Sequence, residues 1–220
     1  VENSIAGTVN EAYEELINSG LEIFGEYIKK INHTLIGLSN SKFEEITHVI
    51  SHPQALQQCS KFLQDSKLRI TPVFDTAGSV FEILETKDIN TAAIAGEHFK
   101  NDERFKILKE NISNHQENFT RFLLVGNKKL ESNKENNKYS SVLISDDKPG
   151  SLLKALNIFS DLNINLTKLE SRPILGRPWE YKFYIDYELQ NVKTQTELID
   201  GIKKVSKEFI ILGHYPKANP

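Results

Sequence analysis

Residues 127–138 read NKKLESNKENNK, with four lysines, four asparagines, two glutamates and a single leucine. Such a run buries too little apolar surface to offset the entropy of ordering it, so no packed core includes it. It therefore splits the chain into residues 1–127 and 139–220, joined by a linker at 128–138, and each part is long enough to build a core of its own.

Before the linker, short apolar runs alternate with amphipathic stretches. Asn10 to Asn18 predicts a helix with Ala12, Tyr13, Leu16 and Ile17 on one side and Gly20 as its stop. Strand-like runs follow at Leu21 to Phe24 and Thr34 to Leu38. THVISHPQALQQCSKFL reads as a strand ending at Ile50, a cap at Ser51, Pro53 near the first helical position, and a helix carrying Leu56, Cys59, Phe62 and Leu63. RITPVFDTAGSVFEILE repeats that rhythm: a strand to Phe74, a turn at Asp75-Thr76 and a helix from about Gly78. TAAIAG, RFKILK and RFLLVG supply further strands. The alternation predicts an open α/β sheet. After the linker, strands at 141–145, 164–171, 181–187 and 209–215, with helices at 151–160 and 195–206, give a ferredoxin-like βαββαβ order. There Tyr181, Phe183, Ile185 and Tyr187 alternate with Lys182, Tyr184 and Asp186, which predicts a sheet with one covered face.

Composition narrows the function. A net charge of -3 gives no nucleic-acid footprint, although it leaves room for a local anion pocket. The single cysteine, Cys59, excludes an internal disulfide framework and suits a reducing compartment. No apolar run reaches membrane-spanning length and no signal peptide opens the sequence, so a cytoplasmic protein without a membrane partner is expected. His33, His48, His52, His98, His115 and His214 show no metal-ligand spacing. No HExxH, GxSxG, Walker loop or dinucleotide fingerprint occurs, so neither metal nor cofactor is expected. Cys59, set among apolar helix positions, reads as a core residue.

What recurs is a strand end, then small polar residues, then a helix start: Glu2-Asn3-Ser4, Ser51-His52-Pro53-Gln54 and Asp75-Thr76-Ala77-Gly78-Ser79. Capping alone accounts for any one of them. In an open sheet several such junctions can instead converge at the strands' carboxyl ends and offer N–H groups to an anion. NFTRF, residues 118–122, adds the Thr120 hydroxyl and the Arg121 guanidinium, which can hold a carboxylate bidentately, while Phe122 starts the apolar strand. Residue chemistry alone thus reaches an anion-binding cleft with a threonine and an arginine.

In their order, ENSIAGTV, SHPQALQQC, DTAGS, AAIAGE and ENFTRF resemble prephenate dehydratase, and DKPGSLLKAL and LESRP resemble the ACT regulatory domain that commonly follows it. The resemblance implies a two-lobed, periplasmic-binding-protein-like catalytic region over 1–127, with lobe one at 1–19 plus 101–127 and lobe two at 20–100, and an ACT domain at 139–220. The family pattern starts roughly sixty residues earlier, so the first lobe is expected to be N-terminally incomplete. It further implies conversion of prephenate to phenylpyruvate, carbon dioxide and water. Thr120 would assist departure of the hydroxyl, with Asn3 and Ser4 in the cleft and Glu2 structural or orienting. Arg121 would either bind a substrate carboxylate or fix the strand. His52, Gln54, Thr76, Ala77, Gly78 and Ser79 would contact substrate, His52 having a purely structural role at a helix start as its alternative. Pro149, Gly150, Ser151, Leu152, Glu170, Ser171, Arg172 and Pro173 would surround L-phenylalanine as an allosteric inhibitor, and pairing through the ACT domain implies a homodimer or a dimer of dimers. The competing expectation is a non-catalytic small-molecule sensor. Thr120 separates the two, because a pure binding protein has no need of a hydroxyl aimed at a leaving group.

Overall fold

The computed structural model describes residues 1–8, 11–127 and 136–219, so residues 128–135 of the expected linker lie outside the described residues. The chain opens with β1 (Glu2–Asn3), β2 (Gly7–Thr8), α1 (Glu11–Ser19), β3 (Glu22–Lys30) and β4 (His33–Leu38). It continues through β5 (His48–Ser51), α2 (Pro53–Gln58), α3 (Ser60–Ser66), β6 (Arg69–Pro72), α4 (Gly78–Thr86), β7 (Thr91–Gly96), β8 (Phe105–Lys109) and β9 (Phe119–Gly126). Then come β10 (Lys138–Ile144), α5 (Ser151–Asp161), β11 (Leu166–Ile174), β12 (Arg177–Glu188), α6 (Val192–Lys203) and β13 (Glu208–Tyr215). Compactness divides them into two units, one of Glu2–Gly7 with Lys29–Thr120, the other of Val1, Thr8–Ile28 and Arg121–Pro220.

The unit containing Lys29–Thr120 holds a sheet of order β6-β5-β7-β4-β8. β5 runs parallel to β6 and β7, and β4 antiparallel to β7 and β8. Along TAAIAG, Ala92 and Ile94 face Leu56, Cys59 and Leu63 of the α2–α3 layer, while Ala93 and Ala95 face Val80 and Ile83 of α4. The period of two thus sends alternate residues to opposite helical layers, and β7 is buried on both sides. This is the open α/β layer that the alternating sequence predicts.

Local boundaries shift for identifiable reasons. Ser51 stays in β5, where its hydroxyl donates to Ile94 O at 2.6 Å, and His52 becomes the cap of α2. β6 stops at Pro72, short of Phe74, which is exposed. Residues 101–120, expected in lobe one, fall in the Lys29–Thr120 unit because β8 pairs with β4. Residues 20–28, expected in lobe two, fall in the other unit, where β3 lies between β13 and β9.

In that other unit the strands line up β11-β12-β10-β13-β3-β9. Its C-terminal segment has the expected βαββαβ order, with β10 antiparallel to both β12 and β13. α5 and α6 cover one face, setting Ala155, Phe159, Leu198 and Ile202 against Leu143, Ile185 and Tyr187. The expectation of a single covered face is corrected. Tyr13 and Leu16 of α1, with Ile23 of β3, pack against Val142, Tyr184, Leu212 and Tyr215 on the second face. Lys182, Tyr184 and Asp186 are consequently all buried. β13 approaches β3 at Gly213, where a Cβ would lie 2.1 Å from Ile23 O, so only glycine fits.

Candidate active site

A chain of polar side chains crosses the Lys29–Thr120 unit from β4 to β9. Asn3, on β1, donates through Nδ2 to Asn118 Oδ1 at 2.7 Å and to Thr120 Oγ1 at 3.1 Å. Its Oδ1 accepts the backbone N–H groups of Ile5 and Ala6 at 3.1 and 2.9 Å, folding the turn after β1, and Gln58 Nε2 at 3.4 Å. Those backbone donors fix the amide's orientation, so the NH2 must point at Thr120. Asn118, fully buried, passes its own NH2 to Gln58 Oε1 at 3.0 Å, and that oxygen also meets His33 Nε2 at 2.8 Å. Gln58 Oε1 thus acts as acceptor on both sides, which puts the His33 proton on Nε2; Nδ1 is buried without a hydrogen-bond partner. The chemical result is at Thr120: Oγ1 receives a hydrogen bond from Asn3, and its own proton is available to donate.

Asn3, Ser4 and Thr120 are brought together as expected. Ser4 takes part at one remove, since its Oγ accepts Phe119 N–H at 3.0 Å and its N–H donates to Phe119 O at 2.8 Å, lacing β1 to β9. Gln58, Asn118 and His33 were missed. Two of them carry a signal: Asn118 precedes Thr120 by two positions and so shares its face of the strand, and Gln58 follows Gln54 by one helical turn. His33 carries none.

The remaining residues expected to contact substrate lie outside this network. Gln54 is exposed, and His52 Nδ1 accepts Gln54 N–H at 3.2 Å, a capping role. At α4 the N–H groups of Ala77 and Gly78 are taken by the Asp75 carboxylate at 3.2 and 2.8 Å, and buried Ser79 donates its hydroxyl to Thr76 O at 2.7 Å. That helix start is satisfied from within and does not present its amides to an anion. Cys59 is buried, and burial pushes its thiol up to about 12, which makes it inert at neutral pH.

Arg121 departs furthest from its substrate-binding expectation. Adjacent strand residues face opposite sides, so it points away from the side that Thr120 faces. It ion-pairs with Glu26, donates through Nη1 to Asp186 Oδ2 at 2.5 Å and through Nη2 to Tyr215 OH at 2.7 Å. Ser140 Oγ bridges Asp186 and Tyr215 at 2.6 and 2.5 Å, and Lys138 Nζ and Ala218 N–H close on Glu26 at 2.9 and 3.0 Å. Burial would lower the Arg121 pKa, but Asp186, Tyr215 and Glu26 outweigh it and raise it. The strand-fixing role is the one the contacts support.

In the C-terminal segment Gly150 adopts φ +80°, a left-handed conformation that favours glycine, between the turn at Pro149 and α5. Gly150, Ser151 and Leu152 line a cavity of ≈ 440 Å³ with Trp179, Tyr181 and Phe183. Glu170 and Arg172 do not line it; they pair with each other, and Lys168 Nζ lies 3.0 Å from Glu170. Ser171 and Pro173, exposed and alternating with them, face the opposite side of β11. Among the described residues no group of three or more His, Cys, Asp or Glu side chains is placed to hold a metal ion.

Comparison with known proteins converges on one family. A prephenate dehydratase of Methanocaldococcus jannaschii is 38% identical over 219 residues, 98% of this chain and 79% of that one. The bifunctional chorismate mutase/prephenate dehydratase of Escherichia coli is 31% identical over all of this chain, which spans 58% of its length. Among solved structures, a protein described as a quorum quenching acylase of a novel type superposes with a TM-score of 0.86 at 26% identity, covering 99% of this chain and 80% of that one. The prephenate dehydratase of Arthrobacter aurescens in complex with L-Phe gives 0.82 at 25% identity, covering 94% and 71%. With the prephenate dehydratase family model matching residues 1–130, which contain the whole Asn3–Asn118–Thr120 network, the chain belongs to the prephenate dehydratase family of lyases.

Proposed function

We propose that the protein is a cytoplasmic prephenate dehydratase in which Thr120 protonates the departing hydroxyl. The observation that carries this reading is the hydrogen bond from Asn3 Nδ2 to Thr120 Oγ1 at 3.1 Å. Prephenate holds a ring carboxylate and, opposite it, a hydroxyl. Breaking the carbon–carboxylate bond releases carbon dioxide, and its electron pair enters the ring and expels the hydroxyl. With the Thr120 proton this leaves as water, and phenylpyruvate remains. A threonine is a weak acid, so charge growing on Oγ1 needs a donor already in place, and the Asn3 amide supplies it without reorganisation. Solvent then returns a proton to Thr120.

No described histidine or carboxylate hydrogen-bonds Thr120 Oγ1, whose side-chain partner is the Asn3 amide, and His33 stands two amides away behind Asn118 and Gln58. A nucleophilic hydrolase needs a base on its hydroxyl, so the acylase likeness is the weaker reading. A non-catalytic sensor would leave the free proton of Thr120 without a role. We further assign residues 139–220 to an ACT domain in a homodimer or dimer of dimers. Its effector would be L-phenylalanine in the cavity beside Gly150, where Trp179, Tyr181 and Phe183 suit an aromatic side chain and Lys148 and Asp146 suit its charged ends.

The deciding assay supplies prephenate and follows both its binding and phenylpyruvate, with Thr120→Val alongside. Phenylpyruvate from the wild type and not from the variant is expected. Prephenate binding without phenylpyruvate would leave the sensor reading, and amine release from an acyl-amide substrate would favour the acylase.

A further inference from the structure

We infer that Thr8 and Arg121 are positioning residues through which strands β11–β13 set the geometry of the Asn3–Thr120 pair. Each is tied through the chain to one member of that pair. Thr120 and Arg121 are consecutive; Asn3 and Thr8 lie on the two strands of one short hairpin, whose turn the Asn3 carboxamide folds by accepting Ile5 and Ala6 N–H.

The two grips use different side chains on paired strands. Thr8 Oγ1 donates to Glu170 Oε2 at 2.7 Å and accepts Lys168 Nζ at 2.7 Å, so both roles of the hydroxyl are committed to β11. Arg172 holds the other oxygen of Glu170. Arg121 is gripped by Asp186 of β12 and Tyr215 of β13, with Ser140 of β10 tying those two together. A guanidinium held at several nitrogens has its orientation fixed by a planar fork. Its strand cannot slide or twist without breaking buried ionic contacts. These contacts are more than a stability device because of where they fall. A buried network anywhere on β9 would steady the strand; this one fixes the residue whose backbone is shared with the acid. Displacement of a reacting group by about 1 Å costs on the order of 100-fold in rate. Glu170 and Arg172 thereby gain a role that does not require them at the cavity. β12 carries Tyr181 and Phe183 at the cavity and Asp186 at Arg121, so one strand touches both.

The test uses the full chain with Thr8→Val, Thr8→Ser, Glu170→Gln and Tyr215→Phe, plus Lys207→Ala as a control that breaks only a surface bridge to Glu180. Two quantities are read. The first is kcat and KM on prephenate, which rests on the dehydratase reading. The second is the methyl resonance of Thr120 in protein carrying 13C-labelled threonine, assigned with Thr120→Ser, which needs no activity. Thr8→Val, Glu170→Gln and Tyr215→Phe should lower kcat about tenfold at near-constant KM and displace the Thr120 methyl resonance. Thr8→Ser and Lys207→Ala should do neither. A rigidity role alone would lower the melting temperature while kcat and the resonance stayed at wild-type values, and that pattern overturns the inference. If the wild type makes no phenylpyruvate, the dehydratase reading fails, and the methyl resonance still decides this one.

Discussion

Thr120 and Asn3 can be separated by what each replacement leaves behind. Valine at 120 keeps the shape of the side chain and removes the proton, so kcat should fall by about 100-fold or more, the range a positioned acid contributes. Asn3→Asp keeps shape too but substitutes an acceptor for the donor that now faces Oγ1 at 3.1 Å. The Thr120 proton would turn toward the new carboxylate, and kcat should fall at least as far as in Thr120→Val. A single-turnover assay of phenylpyruvate checks both; near-wild-type turnover in Asn3→Asp would remove Asn3 from the mechanism. The sequence alone led to Asn3 and Thr120 through motif resemblance, and strand periodicity places Asn118 on the same face as Thr120. It picked Gln54, whereas Gln58 is the glutamine that meets Asn118 and Asn3. Both lie on one side of α2, and which end of a helix meets Asn118 is decided by tertiary packing that local spacing does not carry. For Arg121 the sequence left substrate binding and strand fixing both open, and the long-range contacts with Glu26, Asp186 and Tyr215 that favour strand fixing are invisible to local spacing.

Helix α4 and strand β13 each turn on a single residue. Asp75 caps α4 through both carboxylate oxygens. Asp75→Ala should cost about 1 kcal/mol, lowering the melting temperature by roughly 2–4 °C for a chain of this size. KM for prephenate should stay within about twofold, because no substrate contact is assigned to those amides; a several-fold change in KM would restore α4 to the binding site. At Gly213 the obstacle is backbone, Ile23 O at 2.1 Å from a built Cβ. Gly213→Ala must push β13 off β3 and should destabilise by about 1–3 kcal/mol, seen as a lower urea midpoint. The elements themselves were readable wherever a period was clean: TAAIAG as a strand, the βαββαβ order after the linker. The polar face of β12 misled. Lys182, Tyr184 and Asp186 alternate as a solvent face would, yet all are buried, because α1 and β9 bring Glu14 and Arg121 to them from far away in sequence.

Across the molecule the most distant sequence segments meet at Glu26, where Arg121, Lys138 and Ala218 converge on one carboxylate whose side chain is 0% exposed. Burial by itself would raise its pKa. The field of Arg121 and the hydrogen bonds from Lys138 and Ala218 N–H outweigh that, and the folded-state value lies below the ordinary 4.5. A carboxyl depressed on folding binds its proton more readily in the unfolded chain, so its contribution is complete above about pH 4.5 and is lost as pH falls through the folded value. Glu26→Gln keeps the size but leaves Arg121 and Lys138 with less than their charge balance. Breaking a buried pair in this way costs roughly 3–5 kcal/mol. Stability at pH 7 should therefore drop, and the decline of stability below about pH 4.5 should become shallower in the variant than in the wild type, since one of the carboxylates responsible is gone. Urea melts at pH 7, 5, 4 and 3 measure both effects together. Parallel acid limbs in the two proteins would mean that Glu26 titrates alike folded and unfolded, and that the charges around it do not hold it ionised.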